Sequence, residues 1–202
     1  PIGPITPAGR VPRIAEATFN LSLTYQMPNP PSDEDLGLGV AALDAFVKKF
    51  ADHKLASLAH LRIAQAYVNR GRPEEAAKRL TAYLGDARYA EREETPDARS
   101  LLGQSYLLQK KFAEAIAAWR DYLTKHPTHS AWSSVQQAIV DSQFSRAADR
   151  REAKDYEEAR KLWTEFLANY PLDPRGPTIW YTFGAMQFEQ EKWDEAIADW
   201  TR

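Results

Sequence analysis

Four pairs of adjacent carboxylates, Glu74-Glu75, Glu93-Glu94, Glu157-Glu158 and Asp194-Glu195, are the residues of this sequence whose types suit general acid–base work. Such chemistry needs two carboxyl groups whose surroundings drive their pKa values apart. Three of the four pairs stand at expected helix starts, where the helix dipole already favours negative charge, and capping accounts for them without catalysis. His126 and His129, three apart in an expected loop, offer a fragment of a metal site, but no third ligand in matching register accompanies them. His53 and His60 lie two turns apart on what reads as one helix face, where surface or packing roles suit them better. The chain contains no cysteine, which excludes disulfides, thiolate zinc sites and a cysteine nucleophile. Gly-rich phosphate loops, a G-x-S-x-G elbow and an H-E-x-x-H helix are all missing from the sequence. The expectation is a protein that is not an enzyme and carries no cofactor and no metal.

Charge narrows the partners. Arg146, Arg150, Arg151 and Lys154 cluster, but Asp149 and Glu152 interrupt them, as on a solvated helix face rather than a nucleic-acid stripe. A formal net charge of -2 over 202 residues gives no general attraction to nucleic acid or anionic lipid. Hydrophobic content of 44% with 27% charged residues is ordinary for a folded soluble domain, and no apolar run approaches the ~20 residues that span a bilayer. The expected partner is a protein or peptide, with no nucleic acid and no direct membrane insertion.

Helices must position these residues. Residues 1–12, with four prolines and little to pack, read as a linker. From Arg13 the alternation Phe19, Leu21, Leu23, Tyr25 admits a strand, whereas Ala17, Thr18, Leu21, Ser22 and Tyr25 follow helical spacing; helix is preferred because the next segment completes a pair with it. Ser32 is an N-cap candidate, followed by Asp33, Glu34 and Asp35, with Lys48 and Lys49 in the last turns. Gly71 closes a helix and Pro73 opens the next. Asp155-x-x-Glu158 is a capping-box-like start, and residues 129–154 continue one helical face beyond a standard length. In the stretch 99–127, Leu102, Gly103 and Tyr106 face Ala115, Trp119, Tyr122 and Leu123, with Gly103 and Ala115 expected where two helix backbones come closest.

One small residue recurs in each second helix, at Gly39, Ala76, Ala115, Ala159 and Ala196, with separations of 37, 39, 44 and 37. Leu102-Gly103, Tyr106, Ala115, Trp119 and Pro127 resemble the tetratricopeptide repeat pattern, as do Trp180, Phe183-Gly184, Ala196 and Trp200 and, less strictly, Ile63-Ala64, Tyr67, Ala76 and Leu80. The phrasing FVKKFADHKLASLAHLRIAQAY is similar to the longer repeats of bacterial envelope proteins of the YbgF and BamD type. The run KDYEEARKLWTEFLANYPLDPR resembles repeat modules that precede macroglobulin-like domains in very large bacterial proteins.

The resemblance implies an all-α fold over residues 13–202: a right-handed superhelical solenoid of about five helix-turn-helix pairs, at 13–52, 54–87, 95–127, 129–171 and a truncated 177–202. Trp119, Trp163 and Trp200 then stack as a ladder between repeats. It also implies a protein–protein interaction scaffold with a concave groove, carried over by register onto Glu16, Phe19, Leu23, Leu61, Gln65, Val68, Ser100, Gln104, Leu107, Tyr181, Ala185 and Phe188. Inter-helix packing is the competing role for Phe19, Leu61, Val68 and Phe188. The clamp that grips carboxylate tails in this family uses Lys and Asn in the groove, where Leu61 and Gln65 stand here. The alternative function is a structural spacer or docking arm of an envelope-assembly or macroglobulin-like protein, without a ligand of its own. The chain reads as a fragment of a larger periplasmic or extracytoplasmic protein, less stable or more prone to associate through its C-terminal helix than a longer piece.

Overall fold

The computed structural model describes residues 7–201, with side chains from residue 13 onward. Its helices come in five consecutive pairs: α1 (Pro7–Thr24) with α2 (Asp33–Lys49), α3 (Leu55–Asn69) with α4 (Pro73–Leu84), α5 (Thr95–Leu108) with α6 (Phe112–Lys125), α7 (Trp132–Glu152) with α8 (Tyr156–Asn169), and α9 (Gly176–Glu189) with α10 (Trp193–Trp200). Among the described residues there is no strand, which settles the segment around Phe19 as helix. Helix α1 begins at Pro7, inside the stretch read as linker; a proline in the first helical turn lacks an N–H that would have no partner there anyway. The other residues of that stretch, 1–6, lie outside the described residues. Among the described residues no helix is long and apolar enough to cross a membrane.

The same turn closes the second to fifth pairs. Gly71, Lys110, Lys154 and Glu191 have positive φ of 69°, 56°, 60° and 62°, each two residues before the next helix begins. Just after it, the N–H of Arg72, Lys111, Asp155 and Lys192 donates to the carbonyl of Tyr67, Tyr106, Arg150 and Gln187. Only the first of these turns has glycine at the left-handed position, where an L side chain is strained. Lys154→Gly is therefore expected to raise stability by up to about 1 kcal/mol, read as a higher denaturation midpoint. Side chains cap two helix starts: Ser32 accepts from Asp35 N at 3.0 Å and Asp155 accepts from Glu158 N.

Contacts divide the chain into two compact units, one ending at Val135 and one starting at Gln136, so the boundary falls inside α7. In the N-terminal unit, Phe19, Leu43, Phe46, Leu61, Ile63, Leu80, Tyr83 and Tyr89 share one apolar cluster, and α2 packs on α3 and α4 on α5, the first helices of the next pairs. A buried hydroxyl chain crosses it. Thr95 Oγ1 donates to Tyr89 O (2.6 Å), so Tyr83 Oη donates to Thr95 (3.0 Å) and Ser57 in turn donates to Tyr83 (2.5 Å). The C-terminal unit centres on Leu162, Trp163, Phe166, Ile179, Phe183 and Met186, with Phe144 and Trp180 packed against them. Arg175 closes its edge, its guanidinium over Phe144 and Phe166 and paired with Asp173 and Asp141.

Gly103 is small for a reason other than helix–helix approach: a Cβ there would run into the indole of Trp119, which lies across the glycine and donates Nε1–H to Ser100 O at 3.0 Å. The pair Gly184 and Trp200 repeats this, with the indole donating to Tyr181 O. Trp119 and Trp163 are buried, but Trp200, expected as their equivalent, is not.

Candidate functional site

A depression of about 340 Å³ opens in the N-terminal unit, lined by Gln65, Val68 and Asn69 of α3, Leu101 and Gln104 of α5, and Pro28 and Asn29 of the loop after α1. Successive first helices face it because their turns repeat, so residues one helical turn apart on α3 and α5 come side by side. The loop is held against it: Asn69 Nδ2 donates to Pro28 O (3.1 Å) and to Asn29 Oδ1 (2.7 Å), and Met27, buried, seats against Gly39. Four amide side chains and three apolar ones line this surface, and none of the seven carries a charge. Asn69 spends both N–H groups on the loop, so Gln65 and Gln104, whose amides both donate and accept, together with the apolar residues suit the backbone of an extended, uncharged peptide segment.

Gln65, Val68 and Gln104, carried over by register, thus meet in one depression. Phe19 and Leu61 do not serve it: both are buried in the apolar cluster, where the Phe19 ring meets Phe46 edge-on and the Arg62 guanidinium caps it. Glu16 and Leu23 are exposed on α1, and Ser100 and Leu107 are half-buried on α5. Tyr181 and Phe188 are exposed and Ala185 half-buried on α9, where Tyr181 and Phe188 flank the Trp200 ring. Reading by register missed Pro28, Asn29, Asn69 and Leu101. Leu101 was within reach of the helical pattern as the neighbour of Ser100, whereas the loop contributes through contacts some forty residues distant in sequence.

A second hollow, about 380 Å³, lies in the C-terminal unit between α8 and the α9–α10 turn, lined by Tyr156, Glu157, Arg160, Met186, Gln187, Gln190 and Lys192. Its polar groups are largely committed: Arg160 to Asp199, Tyr156 to Glu189, and Lys192 to Gln190.

The histidines sit among aromatic rings. His126 and His129 both pack against Tyr122, and its hydroxyl hydrogen-bonds His129 Nδ1 at 2.7 Å. Among the described residues no group of three His, Cys, Asp or Glu side chains is placed to hold a metal ion. His60 lies against Tyr83 and Tyr89, ring centroids 5.4 and 5.1 Å away, with neither ring nitrogen hydrogen-bonded. Burial, reinforced by Arg79, pushes its pKa down to about 4. A histidine that titrates at 6.5 unfolded and about 4 folded binds its proton more tightly when unfolded. Its contribution is complete above pH 6.5 and is lost as pH falls towards 4, by roughly 1–2 kcal/mol after solvent screening. Between pH 7 and 4.5 the wild type should lose more stability than His60→Phe by that amount; equal losses in denaturation midpoint would count against it.

The sequence profile described as tetratricopeptide repeat matches residues 34–78, 61–130 and 144–202. Solved structures resemble the chain at low identity. The MamA protein is 12% identical, with 94% of this chain and 90% of that one covered and a TM-score of 0.48. A tetratricopeptide repeat protein from Parabacteroides merdae is 13% identical over 93% of this chain and 77% of that one, with a TM-score of 0.46. YrrB, described as a TPR protein with an unusual peptide-binding site, is 14% identical over 92% and 82%, with a TM-score of 0.43. No curated protein matches the sequence.

Proposed function

Because the chain belongs to the tetratricopeptide repeat family, we propose that it is a protein–protein interaction scaffold that holds an extended, uncharged peptide segment in the depression between α3 and α5. The charge-free, amide-lined surface of Gln65, Val68, Asn69, Leu101 and Gln104 carries this reading. Leu23, Ser100 and Leu107 extend it by register along the N-terminal unit, whereas Glu16, which carries a charge, is not among the residues lining the depression, and Tyr181, Ala185 and Phe188 hold the matching positions on α9. No catalysis is assigned to the chain. Selection from a random peptide library should return neutral sequences whose affinity barely changes with salt, because no counterions are released from an uncharged site. Val68→Asp and Gln65→Ala/Gln104→Ala should each weaken such a peptide tenfold or more in calorimetry. Acidic or basic consensus peptides, or affinities untouched by both variants, would sink the reading.

The resemblance of the stretch 46–67 to envelope repeats supports placing the chain in a larger bacterial envelope protein, in the periplasm or another extracytoplasmic space. The C-terminal pair supports a second contact. Tyr181, Phe188, Trp193, Ile197 and Trp200 are all exposed, and through this face the chain self-associates.

A further inference from the structure

Gln65 and Gln104 bring amides to the depression that the fold itself does not use. Asn69 spends its N–H groups on the loop after α1, and Gln109 of α5 spends its own on Pro73 O (3.1 Å) and Ser105 O (3.0 Å). Among the described residues nothing hydrogen-bonds the amides of Gln65, half-buried, and Gln104, exposed. The two hold the same position of successive repeats, 39 residues apart, as are Ala76 and Ala115. The repeat puts Ala148 there in α7 and Ala185 in α9, so the row of amides ends at α5.

Spacing decides which peptide backbone this pair fits. Helices α3 and α5 touch, and packed helices stand about 8–10 Å apart axis to axis, so equivalent side chains on them recur at about that distance. A β-strand turns its carbonyls to one side at every second residue, hence at ~6.6 Å and then ~13 Å, and neither value matches. A polyproline II chain comes round at every third residue, ~9.3 Å along, and makes no internal hydrogen bonds that would occupy its carbonyls. The flanks agree. Val68 lies one turn after Gln65 and Leu101 one turn before Gln104, so an apolar side chain stands on either side of the amide row. Proline rings suit such flanks, and having no N–H they require no acceptor there.

We propose that the depression takes a proline-rich segment as a polyproline II helix, whose carbonyls at positions i and i+3 accept from the side-chain amides of Gln65 and Gln104. It rests on the peptide site proposed above, and names the conformation and residue class of that peptide. A chain already set in its bound conformation loses little freedom on docking, which lets a site with two hydrogen bonds hold it.

Calorimetry with two blocked, uncharged peptides of about nine residues tests it: acetyl-(Ala-Pro-Pro)n-amide, which favours polyproline II, and acetyl-(Thr-Val-Ser)n-amide, which favours strand. The first should bind at least tenfold more tightly. Gln65→Met and Gln104→Met keep the side chain's length and remove its donor, and each should weaken the proline-rich peptide about tenfold. Circular dichroism and the denaturation midpoint check that both variants fold as the wild type does. Equal affinity for the two peptides, or proline-rich binding untouched by both variants, would overturn the inference. So would a proline-rich peptide that fails to bind while neutral library peptides bind and are lost with Val68→Asp; the peptide site then stands without this ligand. If no neutral peptide of any kind binds, both readings fall.

Discussion

Replacing Gly103 with alanine should destabilise the N-terminal unit by about 1–3 kcal/mol, while Gly184→Ala should change stability by less than about 1 kcal/mol. In both places the new Cβ collides with an indole, of Trp119 in one case and Trp200 in the other. What differs is the room to yield. Trp119 is 3% exposed and cannot swing away without opening a cavity and giving up its bond to Ser100 O, whereas Trp200, 43% exposed, can turn outward. Alanine's better helix propensity, roughly 1 kcal/mol over glycine, offsets the small collision but not the large one. The chain itself shows two ways round the conflict. The second pair has Ala64 with the smaller Leu80. The fourth has Ala147 with Trp163, whose indole Nε1–H is buried without a partner. Gly103→Ala/Trp119→Leu should therefore recover part of the loss, and a double-mutant cycle from urea titrations would measure the coupling. Equal destabilisation by Gly103→Ala and Gly184→Ala would contradict this account.

Arg160→Ala should destabilise the C-terminal unit by about 3 kcal/mol, because it strands a charge. Asp199 is 4% exposed, and its carboxylate is held by both terminal nitrogens of Arg160, at 2.7 and 2.9 Å. The same guanidinium lies 4.4 Å over the Phe183 ring and is held protonated by its bond to Asp199. Removing it leaves a carboxylate with little access to water and no counter-charge. Because α10 is only eight residues long, the loss should surface first as its local release, seen as faster amide hydrogen exchange over residues 193–200 than over 156–169. Asp199→Asn in the Arg160→Ala background should return much of the stability, since an amide is far less costly to bury unpaired than a charge. If the double variant is as unstable as Arg160→Ala, the lost contact with Phe183 is what matters.

The helical pairs were legible because each is marked by local physics. Ser32, Pro73 and Asp155 mark helix starts that depend on three or four neighbouring residues, and the small position of each second helix recurs in step. Family membership follows from the same periodicity. The role of Gly103 was not legible, since a glycine spared for an indole sixteen residues later looks like one spared for a backbone. Half of the depression was also hidden. Its proline-rich loop is placed by Asn69 and Gly39, and neither residue announces a distant partner. Register also cannot separate Phe19 and Leu61, which the apolar cluster absorbs, from Val68, which it leaves at the surface of the depression. Both sets satisfy the same spacing, and the difference is made by what packs opposite.

The hydroxyl chain from Ser57 through Tyr83 to Thr95 limits how this protein can be recombined. Repeats are often treated as interchangeable cassettes, yet this one proton-ordered link ties α3, α4 and α5, crossing the seam between the second and third pairs. A crossover between α4 and α5 with a donor repeat lacking a hydroxyl at position 95 would turn the Tyr83 proton back to Ser57 and cut its buried bond to α5. A crossover in the turn between α5 and α6 cuts no such link. For chimeras, the inheritable module here is three helices long rather than two.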